Sequence, residues 1–142
     1  MSKVKINCMV SVFLLTVLSG GVTAENWEPH ELSKEWMLEK CAIWYDAIAR
    51  QDFEVLASFY PPELVLKHSE TLKKSFNYDY KKYNKRLSRP DYVEKQPTTK
   101  IGEKYSSVNI AWSSRKGKTN GGYSCIFTKQ KNNLWRFGEN VY

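Results

Sequence analysis

The stretch WYDAIARQDFEVLASFY, residues 44–60, joins the end of one amphipathic helix to the start of a second. Within this stretch and just before it, apolar residues recur at spacings of four, three and four, namely Met37, Cys41, Trp44 and Ile48. This is the period of a helix with one buried face. We predict a first helix of about 20 residues. Pro29 suits its first turn, because proline is tolerated where no amide hydrogen is needed, and the helix ends near Arg50.

Two further helices are predicted downstream. The Asp52 carboxylate can accept the free amide hydrogens of a short second helix, which Pro61 and Pro62 then stop. A third helical pattern runs from Ser69 to Leu87 and ends before Pro90. Its apolar side is expected to be formed by Leu72, Phe76, Tyr80, Tyr83 and Leu87.

Beyond Pro90 the apolar residues alternate, which predicts strands. One strand has Val108, Ile110 and Trp112 on a single face. The next strand has Tyr123, Cys125 and Phe127 on a single face. The Asn120–Gly121 step between them is typical of a tight hairpin turn. Residues 101–103 are expected to join an earlier strand to the strand at Tyr105, and residues 131–133 form a last turn. Helices followed by an antiparallel meander indicate an α+β domain, with the sheet curled over the first helix.

Residues 41–66, with this order of elements, resemble the nuclear transport factor 2-like superfamily, which includes SnoaL-like and ketosteroid-isomerase-like proteins. Members commonly have a long first helix, a short step containing Asp, and a second helix rich in Leu and Ala. The resemblance implies a cone-shaped α+β domain, or cystatin-like roll, over residues 25–142. The family includes isomerases, dehydratases, ligand-binding modules, secretion components and docking domains, so it implies no single function. By analogy with this fold, a homodimer through the outer sheet face is a further hypothesis.

The same resemblance suggests a test residue for catalysis. In isomerase-like and dehydratase-like members, the strand after the second helix supplies an acid or base, and an ungapped count from Asp52 reaches His68. The isomerases have an acidic residue at the position of His68. They also have a tyrosine on the first helix, and Tyr45 lies one position from the place expected for it. The alternative is that His68 is a surface histidine at the start of the basic third helix. A pocket in the cone would be lined by Trp36, Trp44, Tyr45, Phe59, Trp112 and Phe127.

Residues 1–24 have the layout of a secretory signal peptide. Lys3 and Lys5 precede an apolar run, and small residues end at Ala24, so the mature chain is expected to start at Glu25. The alternative is an uncleaved membrane anchor, although the run is shorter than the roughly 18 to 20 residues that span a bilayer. We therefore expect an exported protein, of the bacterial periplasm, that is not an integral membrane protein after cleavage.

Export leaves two cysteines in the mature chain, Cys41 and Cys125. An even pair in an oxidising compartment predicts a disulfide bond. The alternative is two separate buried thiols that act as small apolar residues.

The charge is unevenly distributed. The whole chain of 142 residues carries 22 Lys and Arg against 15 Asp and Glu, for a net charge of +7. Residues 25–66 hold nine acids and three bases, whereas residues 67–100 hold ten bases and four acids. A stretch that mixes cations and aromatic rings indicates an interaction surface for anions. The predicted binding residues are Lys73, Lys74, Tyr78, Lys81, Lys82, Lys85 and Arg86.

We interpret the protein as a non-enzymatic binding domain for an acidic protein or an anionic envelope component, either immunity-like or involved in envelope assembly. Export makes nucleic acid a poor candidate partner. One alternative is that the third helix is an ordinary solvated helix, whose aromatic stripe only packs into the core. Tyr78 distinguishes this alternative from a binding surface, because it lies off that stripe. The other is a small-molecule-binding protein, or an isomerase- or dehydratase-type enzyme, that uses the cone pocket with His68. No metal-ligand spacing, Walker loop or nucleophile elbow is present, so we expect no metal and no cofactor.

Overall fold

The computed structural model describes residues 25–89, 91–114 and 120–138, so the predicted signal peptide lies outside the described residues. The elements in chain order are α1 (Lys34–Arg50), α2 (Phe53–Ala57), α3 (Pro62–Leu87), β1 (Tyr92–Glu94), β2 (Thr98–Lys100), β3 (Tyr105–Ser114), β4 (Asn120–Lys129) and β5 (Trp135–Phe137). Helices are followed by an antiparallel sheet, so the predicted α+β class is confirmed. Within the described ranges, no helix combines the length and the apolar character needed to cross a membrane.

Helix α1 begins later than the sequence predicted. Its N-cap is Ser33, whose side chain accepts a hydrogen bond from the Trp36 amide at 3.1 Å. Pro29 lies before the helix rather than in its first turn, because the neighbouring His30 pairs with Trp135 through two backbone hydrogen bonds of 2.8 and 2.7 Å. The end at Arg50 is as predicted, and Gln51 follows with φ 54°.

Helix α2 has the predicted cap, since an Asp52 carboxylate oxygen accepts a hydrogen bond from the Val55 amide at 3.2 Å. The prolines have a different role from the predicted one. Pro62 opens α3, because a proline at the first helical position lacks only an amide hydrogen that would have no partner in the helix. The α3 backbone is kinked at His68, and the part after the kink matches the predicted helix. Leu87 was expected on the apolar side of this helix, but its side chain is 43% exposed.

The sheet has the strand order β1-β3-β4-β5, and β2 also pairs with β3. Val108 lies opposite Cys125, and Ile110 lies opposite Tyr123, so the predicted shared faces are confirmed. The turn predicted at Asn120–Gly121 is wrong. Both residues belong to β4, where Asn120 pairs with Ser113 and Gly121 pairs with Trp112. The connection between the two strands therefore falls on residues 115–119, which lie outside the described ranges.

The last turn and the strand connection are found where they were predicted. The Gln130 amide donates to the Leu134 carbonyl at 2.7 Å across residues 131–133, and Asn133 has φ 64°. Residues 101–104 join β2 to β3. Strands β1 and β2 both pair with β3, at opposite ends of that strand, so together they form one interrupted edge.

Two apolar clusters stabilise this arrangement. The first lies between α1 and the sheet, and its buried members are Trp36, Met37, Cys41, Val108, Ile110, Cys125, Phe127 and Trp135. Within it, the predicted disulfide bond is confirmed, with the Cα atoms of Cys41 and Cys125 5.7 Å apart. The second cluster joins the three helices through Ala47, Ile48, Leu56 and Phe76. The clusters hold the end of α3 above the strands β3 and β4.

Candidate functional site

A cavity of about 600 Å³ lies between the last turns of α3 and the strands β3 and β4. We call it the basic cleft, and its lining residues are Lys82, Lys85, Arg86, Arg89, Trp112, Gly121 and Gly122. Its volume is within the range of ordinary ligand pockets, roughly 300 to 1,000 Å³.

The four cations of the basic cleft lie together because of their spacing. Lys82, Lys85 and Arg86 share one face of the last turns of α3, and Arg89 follows the C-cap at the position that would continue this face. Cations at a helix C-terminus are also favoured by the helix dipole, which partly offsets their mutual repulsion. Among the residues that the structure describes, no carboxylate forms an ion pair with any of the four. Apart from the longer-range attraction between Lys82 and Asp79, these charges are therefore available to a ligand.

The opposite wall is built from two glycines. Trp112 pairs with Gly121 across the β3–β4 ladder, and a Cβ atom at Gly121 would lie 2.7 Å from the indole ring. A Cβ atom at Gly122 would lie 2.9 Å from the carbonyl oxygen of Ile110. Both distances are shorter than real contacts, so only glycine lets the indole lie against this strand.

Arg86 is the central cation of the cleft. Its guanidinium carbon lies 4.2 Å from the ring centre of Tyr123, 5.7 Å from that of Tyr83 and 6.0 Å from that of Trp112. The Arg89 guanidinium lies 5.6 Å from the same indole. Atom Nη1 of Arg86 is buried, and no hydrogen-bond acceptor for it exists in the described part of the chain. An unsatisfied buried donor is costly, so this atom favours an acceptor brought by a ligand.

A second cavity of about 310 Å³, the inner cavity, lies next to the basic cleft. It shares Lys82, Arg86 and Gly122 with the basic cleft. Its other lining residues are Trp44, Tyr45, Ile48, Asp79, Tyr83, Tyr123 and Ser124. Arg86 therefore lines both an outer space rich in cations and an inner space rich in phenols.

Burial changes the pKa of two groups that line the inner cavity. It raises the pKa of Tyr45 well above the ordinary tyrosine value, and the Arg86 charge only partly opposes this. It also raises the pKa of Asp79, against the opposing effect of Lys82. The phenol of Tyr45 therefore stays protonated at neutral pH.

Glu94 connects the edge strand β1 to the middle of the sheet. Its carboxylate accepts hydrogen bonds from Tyr92 and from Tyr123, the latter at 3.1 Å. Burial, followed by the nearby Glu94 carboxylate, raises the pKa of both tyrosines, so both remain donors. Because Glu94 pairs with Trp112 in the β1–β3 ladder, these bonds support the indole side of the basic cleft.

The predicted binding surface divides into two parts. Lys82, Lys85 and Arg86 meet at the basic cleft. The other three predicted lysines are exposed and line neither cavity: Lys73, Lys74 and Lys81. Tyr78 is 61% exposed and lies off the apolar stripe, and the ammonium of Lys82 lies 5.1 Å from its ring centre.

The predicted aromatic pocket is also divided. Trp36, Phe59 and Phe127 are buried core residues, with ring centres 5.2 Å apart for Trp36 and Phe127. Trp44 and Tyr45 line the inner cavity, whereas Trp112 lines the basic cleft. The six rings therefore do not line one described cavity, because Trp36 packs against Phe127, whereas Phe59 packs against Trp44 and Phe137.

His68 does not face either cavity. It is exposed at the kink of α3, so the strand expected there is wrong and the histidine belongs to a helix surface. Pro62 is the physical reason, because it starts a helix where the ungapped count from Asp52 expected a strand.

Sequence reasoning missed several residues of the site, namely Arg89, Gly121, Gly122, Tyr92, Glu94 and Tyr123. Arg89 could have been found, since its spacing continues the pattern of Lys82, Lys85 and Arg86, although α3 itself ends at Leu87. The glycines were assigned to a turn. Within residues 25–89, 91–114 and 120–138, no cluster of side chains suited to a metal ion occurs.

Comparisons with known proteins give a structural likeness but no sequence match. No protein-family model matches the chain, and no curated protein matches its sequence. Among solved structures, the chain is similar to an NTF2-like transpeptidase from Campylobacter jejuni, at 12% identity and a TM-score of 0.41. The match covers 70% of this chain and 95% of that one. A likeness of this size does not establish family membership, so the α+β class rests on the helices and strands themselves.

Proposed function

We propose that this protein is an exported, non-enzymatic binding domain that engages an acidic protein partner through the basic cleft. The observation that carries the proposal is the set of four cations without a described carboxylate partner, centred on the buried Nη1 of Arg86. An acidic side chain would supply both the missing charge and the missing acceptor. Fully desolvated, hydrogen-bonded pairs of this kind contribute more to binding than exposed charges do.

Export is part of this proposal. The signal-like residues 1–24 and the buried disulfide bond support it, because disulfides persist in oxidising compartments. We also propose that residues 25–142 form a nuclear transport factor 2-like cone, on the resemblance of residues 41–66. An immunity-like role or a role in envelope assembly fits such a domain. Expression of the full chain in a bacterium, with mass analysis of the periplasmic fraction, should find a chain that starts at Glu25.

The partner is tested by capture with the mature protein from envelope extract. The cleft variant carries Lys82→Glu, Lys85→Glu and Arg86→Glu, and it should lose a partner that the unchanged protein retains. The matched control changes three exposed lysines outside both cavities to glutamate, namely Lys73, Lys74 and Lys81. It has nearly the same net charge as the cleft variant and should keep the partner.

Circular dichroism and thermal unfolding of both variants exclude a folding defect as the cause. Retention of every captured protein by a folded cleft variant contradicts the proposal. Equal loss in both variants contradicts it as well, since binding would then follow net charge rather than the cleft.

A further inference from the structure

We infer that the partner presents an extended acidic segment to the basic cleft, with acidic side chains two residues apart, and that Arg86 and Arg89 hold one carboxylate beside Trp112. This inference rests on the proposed function, and it adds the chemistry and spacing of what is bound. It depends on two features of the cleft, which are its pair of arginines and its second pair of cations.

The two guanidinium groups lie against one indole, 5.6 and 6.0 Å from its ring centre. Two cations beside one ring repel each other, and no carboxylate in the described residues forms an ion pair with either group. A carboxylate placed beside them accepts hydrogen bonds from both, and the planar fork of arginine suits its two oxygens. Such a carboxylate also satisfies the buried Nη1 of Arg86.

The second pair of cations, Lys82 and Lys85, lies one turn earlier on the same face. Lys82 and Arg86 are separated by about 6 Å along α3, at a rise of 1.5 Å per residue. Side chains on one side of an extended peptide repeat every 6.6 Å or so. Acidic residues at positions i and i+2 therefore match the two pairs in spacing, whereas adjacent acids point to opposite sides.

The arrangement of the cations also distinguishes an extended segment from a compact anion. A compact anion such as phosphate needs cations that converge on one point. Cations spread along a groove favour an extended acidic chain instead.

The test uses two fluorescein-labelled peptides of equal composition, Gly-Glu-Gly-Glu-Gly and Gly-Gly-Glu-Glu-Gly. Fluorescence anisotropy with the mature protein at low salt should show several-fold tighter binding of the alternating peptide. Arg86→Lys keeps the charge but removes the planar fork, so it should weaken that binding about tenfold or more. Arg89→Lys should act in the same direction.

Lys74→Gln is the matched control, because it removes a charge from the same helix outside both cavities, and it should bind the alternating peptide as the unchanged protein does. Thermal unfolding shows whether each variant is folded, and the two arginine variants provide independent measurements. Equal affinity for the two peptides overturns the inference, and so does full binding by folded Arg86→Lys and Arg89→Lys proteins. Pyrophosphate that binds more tightly than either peptide assigns the cleft to phosphate and also overturns it.

The two proposals can fail separately. If capture from envelope extract depends on the cleft but neither peptide binds, the inference is wrong and the proposed function stands. If capture does not depend on the cleft, the proposed function is wrong whatever the peptides do.

Discussion

The indole of Trp112 lies against Gly121, its cross-strand partner, at a distance that leaves no room for a Cβ atom. The atoms concerned are Cε2, Cζ2 and Nε1 of the indole, which a hypothetical Cβ at Gly121 would approach to 2.7 or 2.8 Å. This contact keeps the ring beside Arg86 and Arg89, so the shape of the basic cleft depends on a missing side chain.

Gly121→Ala should therefore disturb the basic cleft and the β3–β4 ladder together. Forcing a methyl group into this contact costs about 1 to 3 kcal/mol of stability, the usual range for overpacking. Urea unfolding measures this loss. The Trp112→Phe background is the control, because phenylalanine lacks the second ring that the new methyl group meets. The two changes should be non-additive, with a smaller cost of Gly121→Ala in that background. Strict additivity would show that the contact is not the cause.

The disulfide bond should contribute strongly to stability. Cys41 and Cys125 are both buried and are separated by 84 residues, so the bond closes a long loop. The chain-entropy model assigns about 4 to 5 kcal/mol to a loop of this length. The double change Cys41→Ala and Cys125→Ala should lower the free energy of unfolding by an amount of this order. A thiol assay of the denatured, unreduced protein without its signal peptide checks the bond directly, and two free thiols per chain would contradict it.

The cap of α2 gives a prediction with a close control. Asp52→Ala removes the side chain that accepts from the Val55 amide, and we expect a loss of about 1 kcal/mol. Asp46→Ala removes an exposed carboxylate that pairs with Arg50 at 2.6 Å within α1. Such helix-surface pairs contribute about 0.3 to 0.5 kcal/mol, so the control should be milder. Thermal unfolding of both variants measures the difference, and an equal or larger effect of Asp46→Ala would exclude capping as the main role of this carboxylate.

Alkaline pH should destabilise the fold partly through Tyr45. Its pKa is raised in the folded protein by burial, whereas the unfolded chain releases this proton near pH 10. Above that pH the folded state holds more protons than the unfolded state, so stability falls as pH rises. The stabilising contribution is fully present below about pH 10.

Urea unfolding at pH 8 and at pH 11 measures this dependence. Tyr45→Phe keeps the aromatic packing on Tyr123, whose ring centre is 3.9 Å away, and should lose less stability between the two pH values than the unchanged protein. Tyr78→Phe alters an exposed ring and should behave as the unchanged protein does. The same pH dependence in all three proteins would exclude Tyr45 as a source.

Much of the fold could be predicted because its determinants are local. The four apolar positions from Met37 to Ile48 lie within one helix, and Asp52 caps the helix that begins at the next residue. Alternation within β3 and β4 predicted which residues share a face, and the even pair of cysteines predicted the disulfide bond. Each of these inferences needs only neighbouring residues or a simple count.

The role of the glycines and the positions of the aromatic rings could not be predicted in the same way. An Asn-Gly step is typical of a turn, yet here Gly121 pairs inside a strand because Trp112 occupies the space above it. Tryptophan and phenylalanine serve both cores and cavities, so sequence does not distinguish the buried Phe127 from the cavity-lining Trp44.

Local sequence patterns were enough to predict the helical and strand periods, the α2 cap, the pairing of the cysteines and the run of positive charge near the end of α3. Which of those cations act together depends on long-range packing. The basic cleft needs Lys82–Arg89 beside Trp112 and Gly121, which are far apart along the chain. Packing of α1 against the sheet and of α3 against α1 brings them together, because burial of the two apolar clusters dominates the free energy of folding.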